Sequence, residues 1–300
     1  MNCLLKTSRR KFIGTGLGIL TASSVSASSL LSSPKEKGEV RVLFLFGDYW
    51  HDSITMEKHW RRILGNTGWR LLFAQSSQFV TPEILSQTDL FIFCRYSGAD
   101  AFGWTPDGII ENRPAPSPWM TDEQEEAIIK NVERGMGLIP FHCAIFNDDK
   151  KKYMELLGVK QPYIHGNIRW MTSFYGMNQE HPITKGVEPF EELDEIFGAD
   201  MNDVKYDLLF QGKQVSSQEG RVPTWATEFK VKIDPVIVRP GGWTREIGNG
   251  RVVYLNCGST QEVYWRKSMK ELMWRSAHWA MKKEIPPVEF VEGYTKDRKE

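Results

Sequence analysis

Short, nearly continuous apolar runs alternate with segments of helical period in the first half of this chain, and that alternation restricts its fold most. Val40–Phe46 (VRVLFLF) is rich in β-formers and closes at Gly47-Asp48. An unbroken apolar run, rather than an alternating one, is what a strand buried on both faces requires. Ser53 to Leu64 then carries Ile54, Met56, Trp60, Ile63 and Leu64 at helical spacing and stops near Gly65-Asn66. Further strands are predicted at Trp69–Ala74 and, after Asp89, at Leu90–Cys94. Thr121 caps a helix that runs to Arg134, with Gln124 in the capping-box position. Met136–Phe141 is the next strand, entered through Gly137 and closed by His142. Strand and helix in alternation predict βαβ units and a parallel sheet covered by helices on both faces.

The rhythm weakens beyond Gly158. Strand-like segments are predicted at Ile168–Phe174, Tyr206–Phe210, Val222–Phe229, Pro235–Val238 and Val252–Asn256, with the polar stretch 211–224 as a loop or hairpin. An amphipathic helix from Trp265 to Met281 follows, its face formed by Met269, Leu272, Met273, Ala277 and Ala280. Residues 98–120 break the alternation, with three prolines alternating at 114–118 and with Trp104 and Trp119 near the two ends. A long aromatic loop of this kind reads as a lid or binding loop. The chain holds 11 Trp and 9 Tyr, and flat rings with polar tips suit partly polar ligands.

The first residues read as an address. Ser8-Arg9-Arg10-Lys11-Phe12-Ile13-Gly14 precedes a weakly apolar stretch and a small-residue exit at Val25-Ser26-Ala27. This resembles a twin-arginine signal peptide over residues 1–27, which predicts a periplasmic or otherwise exported protein. The stretch is short and contains Gly, Thr and Ser, so no stable membrane span is expected after cleavage. Residues 28–39 read as a linker and 283–300 as a charged tail. Cleavage removes four basic residues and no acid, leaving 34 basic against 38 acidic side chains, a net charge of about −4. That balance excludes the basic face a nucleic-acid partner would need. Cys94, Cys143 and Cys257, each in an apolar run and without CxxC spacing, read as buried free thiols.

In an open parallel sheet, ligands bind at the carboxyl ends of the strands. Two histidines fall there: His51, beside Asp48 and Asp52 after the first strand, and His142 after the strand at 136–141. A single buried histidine is more often structural, but two at equivalent strand ends point to one polar centre. His165, His181, Asp194 and Glu195 supply further imidazoles and carboxylates. These residue types suit a divalent metal such as zinc, with His51 and His142 as candidate ligands, and equally suit acid–base work without a metal. No HxH or HExxH spacing decides between them. His59 and His278 lie in helical patterns and read as packing or surface residues.

Several short motifs, in order, make the chain resemble the ThuA-like (trehalose utilisation) family. Glu133 to His142 resembles its GxGLxxxH strand, and His51-Asp52 its early HD. Gly158 with His165 is similar to its GG-x-F-x-x-H segment, and His181 to Gly186 to its HPI-x-x-G. Asp194-Glu195, with Phe197 as the aromatic, resemble DE-x-Y; Gly250 to Tyr254 resembles GRVFY, and Trp274 to Ala280 the closing WA helix. The likeness spans residues 40–282. Two positions depart from it: Gly258-Ser259 stand where the family carries Gly-His, and Gly158-Val159-Lys160-Gln161 where it carries GG-x-F.

The resemblance implies a flavodoxin-like, three-layer α/β/α fold with a mostly parallel sheet, similar to class I glutamine amidotransferases. It also implies a small-molecule carbohydrate ligand and hydrolysis, elimination or isomerisation of a disaccharide or 3-keto-glycoside. His51, Asp52 and His142 would be the catalytic groups. His165, His181, Asp194, Glu195, Trp104 and Trp119 would bind the ligand. Those amidotransferases carry a Gly-x-Cys-x-Gly elbow, whereas Phe141-His142-Cys143-Ala144 has no flanking glycines, so Cys143 reads as an inert thiol. A carbohydrate-binding protein without turnover is the alternative, motivated by Ser259.

Overall fold

The structure, a computed structural model, describes residues 33–48, 51–96, 118–147, 149–164, 171–215 and 236–288. Strand β1 (Arg41–Leu45) is buried along its whole length, as its unbroken apolar run requires. It pairs in parallel with β2 (Arg70–Ala74) on one side and β3 (Leu90–Phe93) on the other. β4 (Gly137–Pro140) continues the parallel set beside β3, and β11 (Gly250–Leu255) beside β4. The resulting order, β2-β1-β3-β4-β11, is that of a flavodoxin-like doubly wound sheet. Four antiparallel strands extend the same sheet: β10 (Val236–Ile247), β9 (Asp207–Val215), β6 (Met171–Tyr175) and β7 (Phe190–Leu193). A separate antiparallel ribbon joins β5 (Val159–Ile164) to β8 (Phe197–Met201). The sequence rhythm therefore weakens where parallel pairing gives way to antiparallel.

The helices are α1 (Ser53–Leu64), α2 (Pro82–Ser86), α3 (Asp122–Arg134), α4 (Lys151–Leu157) and α5 (Lys267–Ala280). α1 packs against α5, and α3 against α2 and α4. The two groups lie on opposite faces, because successive residues of a strand point opposite ways. Phe44 of β1 meets Trp60 of α1 at 5.7 Å between ring centroids. Phe93 of β3, in register with the next residue Leu45, instead meets Tyr153 of α4 at 5.9 Å. α3 opens with the Thr121–Gln124 capping box and ends at Gly135. Among the described residues no helix is long and apolar enough to cross a membrane.

Some elements differ from the sequence reading, each for a local reason. Residues 211–215 belong to β9 rather than to a loop, because Gln214 is buried and its amide donates to Thr172 Oγ1 and the Asp194 carbonyl. β10 runs on from Val236 to Ile247 despite Pro240, since the register shifts there and a bulge tolerates a residue without an N–H. The segment Val222–Phe229 and most of the aromatic loop lie outside the described residues, as do residues 1–27.

Gly250 opens β11 directly beneath the end of α3. A Cβ on it would sit 2.0 Å from the Val132 carbonyl oxygen and 2.8 Å from that of Met136, both backbone atoms. Gly250→Ala is therefore expected to lower the unfolding free energy by about 1–3 kcal/mol, the usual cost of overpacking. Denaturant unfolding checks this, and an unchanged midpoint would contradict the close approach.

Candidate active site

The parallel strands end on one edge, and their last residues build a single buried polar centre. Its hub is Asp48, which follows β1. The Asp48 carboxylate accepts the backbone N–H of His51 at 2.9 Å and that of Tyr96, beyond β3, at 3.0 Å. It also accepts the Cys143 thiol, beyond β4, at 3.3 Å. His51 Nδ1 stands 2.8 and 2.9 Å from its two oxygens. Since a carboxylate only accepts, Nδ1 carries a proton. Cys143 Sγ lies 3.4 Å from His51 Nδ1 and 3.5 Å from Cys94 Sγ. Burial first, then the neighbouring Cys94 and Asp48, pushes the Cys143 thiol well above its ordinary range. A thiol so held is no nucleophile at neutral pH.

His142 meets His51 edge to face, the ring centroids 5.0 Å apart. It opens a 3-10 turn after β4 with φ 48°, a left-handed conformation rare for a residue with a Cβ. Such strain costs about 1–3 kcal/mol and persists where the surroundings fix it. Here Tyr254 donates to the His142 carbonyl at 2.8 Å, and His142 Nδ1 donates to the Asn256 carbonyl at 3.1 Å. Nε2 therefore bears a lone pair, and it is fully buried with no hydrogen-bond partner among the described residues. Burial, with the His51 ring adding to it, lowers the affinity of His142 for a proton to a pKa of about 3, so the ring is neutral. The strained position of the strand-end turn thus falls on His142, one residue before Cys143.

Facing that lone pair is Glu195, whose Oε2 lies 4.0 Å from His142 Nε2 with the side chain one-fifth exposed. Asp194 turns the other way and accepts the backbone N–H groups of Gly258, Ser259 and Thr260 at 2.8, 2.8 and 3.2 Å. Burial raises Asp194 to about 7 against the pull of those donors. Burial and the charge of Asp194 raise Glu195 to about 8. We assign the negative charge to Asp194, which has three N–H donors, and the shared proton to Glu195, which faces an acceptor. Asn256 fixes this arrangement: its amide clamps the Phe197 backbone at both N–H and C=O, 2.9 and 2.8 Å.

The structure brings together His51, His142 and Glu195, with Asp194 behind Glu195. The other candidates lie apart. Asp52 is exposed and caps α1, accepting Ile54 N and Thr55 N at 3.1 and 3.0 Å, so the carboxylate of the centre is that of Asp48. His181 accepts Ile183 N at 3.2 Å and packs on Trp279 of α5, away from His142. Trp119 is 3% exposed and packs edge-on to Phe93 in the core rather than lining a groove. His165 and Trp104 lie outside the described residues. Asp48, Cys94 and Asn256 belong to the centre although sequence reasoning did not choose them; each follows directly on a strand end. A shallow hollow lined by Pro182, Lys185, Arg275 and Pro286 contains none of these groups.

Comparison with known proteins agrees with this architecture. The ThuA family, described as trehalose utilisation, matches residues 41–280. Two solved structures are similar in fold. One is a putative ThuA-like protein from Parabacteroides merdae, 17% identical with a TM-score of 0.56, covering 83% of this chain and 93% of its own. The other is a putative ThuA-like protein from Bacteroides uniformis, 15% identical with a TM-score of 0.54, covering 83% and 94%. Among curated proteins none matches. With the family match spanning the sheet, the five helices of the described residues and the polar centre, the chain belongs to the ThuA family.

Proposed function

We propose that this protein acts on a carbohydrate by proton transfer between the ligand and the Glu195–His142 pair. The observation that carries the reading is the buried Nε2 of a strained His142, without a hydrogen-bond partner among the described residues and facing a carboxyl group raised to about 8. A carboxyl group that keeps its proton near neutral pH beside an imidazole that keeps its lone pair puts an acid and a base together at one pH. Membership of a family described as trehalose utilisation favours a disaccharide or its 3-keto derivative.

In a 3-keto-glycoside the C2–H bond is acidified by the neighbouring carbonyl. His142 Nε2 accepts that proton, the electron pair forms the C1–C2 double bond, and the C1–O bond breaks. Glu195 gives its proton to the departing oxygen. His51, oriented by Asp48, holds a sugar oxygen through Nε2. Isomerisation would use the same two proton positions. Export through the leader at residues 1–27 places this activity outside the cytoplasm in the proposal. Ser259, at the position where the family carries Gly-His, favours a second reading in which the centre binds a sugar without turnover. Calorimetry showing sugar binding without any product would select it.

His142→Ala is expected to lower 3-keto-disaccharide breakdown by about 10²–10⁴-fold, the usual contribution of one acid–base group. Unchanged turnover would remove the proposal. The pH profile gives a second check. Glu195 is protonated below about 8, so kcat falls as pH rises through that value, while His142 stays neutral down to about 3 and adds no limb near neutrality. Glu195→Gln, with no proton to transfer, is expected to be slow and to lose the alkaline limb. A limb kept in that variant would assign it to another group.

A further inference from the structure

Behind the proton-transfer pair, the side chains of Asp48, His51, Cys94 and Cys143 converge from the ends of β1, β3 and β4. His51, Cys94 and Cys143 are buried, and their ligand atoms all lie within 4.8 Å of one another. The individual separations are 3.5 Å between the two sulfurs, 3.4 Å from Cys143 Sγ to His51 Nδ1, and 3.3 Å from Cys143 Sγ to Asp48 Oδ2. The edge from His51 Nδ1 to Asp48 Oδ1 is 2.8 Å. A tetrahedral ion with bonds of about 2.3 Å to sulfur and about 2.0 Å to nitrogen or oxygen has edges of roughly 3.3–3.8 Å. The Cys143 edges to Cys94 and His51 are those of such an ion slightly contracted, and Asp48 borders the three through Cys143 and His51.

We propose that His51, Cys94 and Cys143 hold one divalent transition metal, of which zinc is the best match to a donor set of two sulfurs and one nitrogen, with the Asp48 carboxylate beside them. Two features beyond the distances point the same way. The Asp48 carboxylate beside the three is itself fixed by backbone donors, His51 N on Oδ1 and Tyr96 N on Oδ2, as the outer support of a metal site is. The sulfurs, 3.5 Å apart, are free thiols and not a disulfide, and the Cys94 sulfur lies against that of Cys143. Without an ion this core region spends two thiols, a carboxylate and an imidazole on a chain of weak S–H contacts.

Binding is balanced in protons. Each thiol loses one, so two leave per ion, and the proton on His51 Nδ1 moves to Nε2. His51 then turns an N–H toward the pocket and can donate to a sugar oxygen. The site does not depend on the proposed reaction, since neither His142 nor Glu195 is a ligand.

The test uses the full chain, freed of metal by a chelator under reducing conditions and titrated with Co²⁺ in weak buffer. One equivalent is expected to bind, with thiolate-to-cobalt charge transfer, tetrahedral d–d bands and release of about two protons per ion. Cys94→Ser or Cys143→Ser should weaken binding by more than about 100-fold. Cys257→Ser, whose thiol lies elsewhere in the core against Met269, should leave the spectrum intact. So should His142→Ala, which makes failure of this site distinguishable from failure of the sugar chemistry. If the cysteine variants do not fold, the wild-type spectrum and proton count decide alone. A folded wild-type protein that binds no cobalt, or binds it without a thiolate band, overturns the proposal.

Discussion

The Asp48 carboxylate, buried where β1 ends, is the constraint on which the rest of this centre depends. A carboxylate taken out of water is costly unless donors replace its hydration. Here they come from three strand ends at once: the His51 backbone and imidazole after β1, the Tyr96 N–H after β3 and the Cys143 thiol after β4. The parallel sheet makes this possible, because strands running the same way finish on the same edge. Satisfying one buried charge therefore draws three separate loops to a common point and holds a proton on His51 Nδ1.

The proposed chemistry rests on contrasts of environment. Asp194 and Glu195 are neighbours in sequence, yet one faces three backbone N–H groups and the other an imidazole lone pair. His142 and His51 are neighbours in space, yet one is oriented by a backbone carbonyl and the other by a carboxylate. Such pairings separate the roles of chemically identical groups, which is how a site holds an acid and a base together at one pH. The left-handed turn at His142 shows that the fold tolerates strain to put that ring there.

Much of this was legible in the sequence. The runs VRVLFLF and LFIFC, the helix from Ser53 to Leu64 and the capping box at Thr121 identify the parallel half, since burial on both faces leaves an unambiguous pattern. His51 and His142 follow from their places at strand ends. β7, β8 and the end of β9 were harder, because buried polar residues such as Thr172, Gln214 and Asp194 satisfy one another across strands and blur the apolar signal. The choice between Asp48 and Asp52 was equally hidden. Both flank His51, and only the backbone path shows that one turns inward while the other caps α1. Cys94 and Cys143 read as inert thiols because their spacing of 49 residues has no meaning until β3 and β4 lie side by side.

The account stands most directly on the coupling between Asp48 and His51, which a double-mutant cycle in unfolding free energy measures. Asp48→Asn, His51→Gln and the pair together are expected to show a coupling of about 1.5–3 kcal/mol, as for a buried hydrogen bond to a charged group. Two changes that add to within about 0.5 kcal/mol would mean that the residues act independently, and the buried hub described here would not exist.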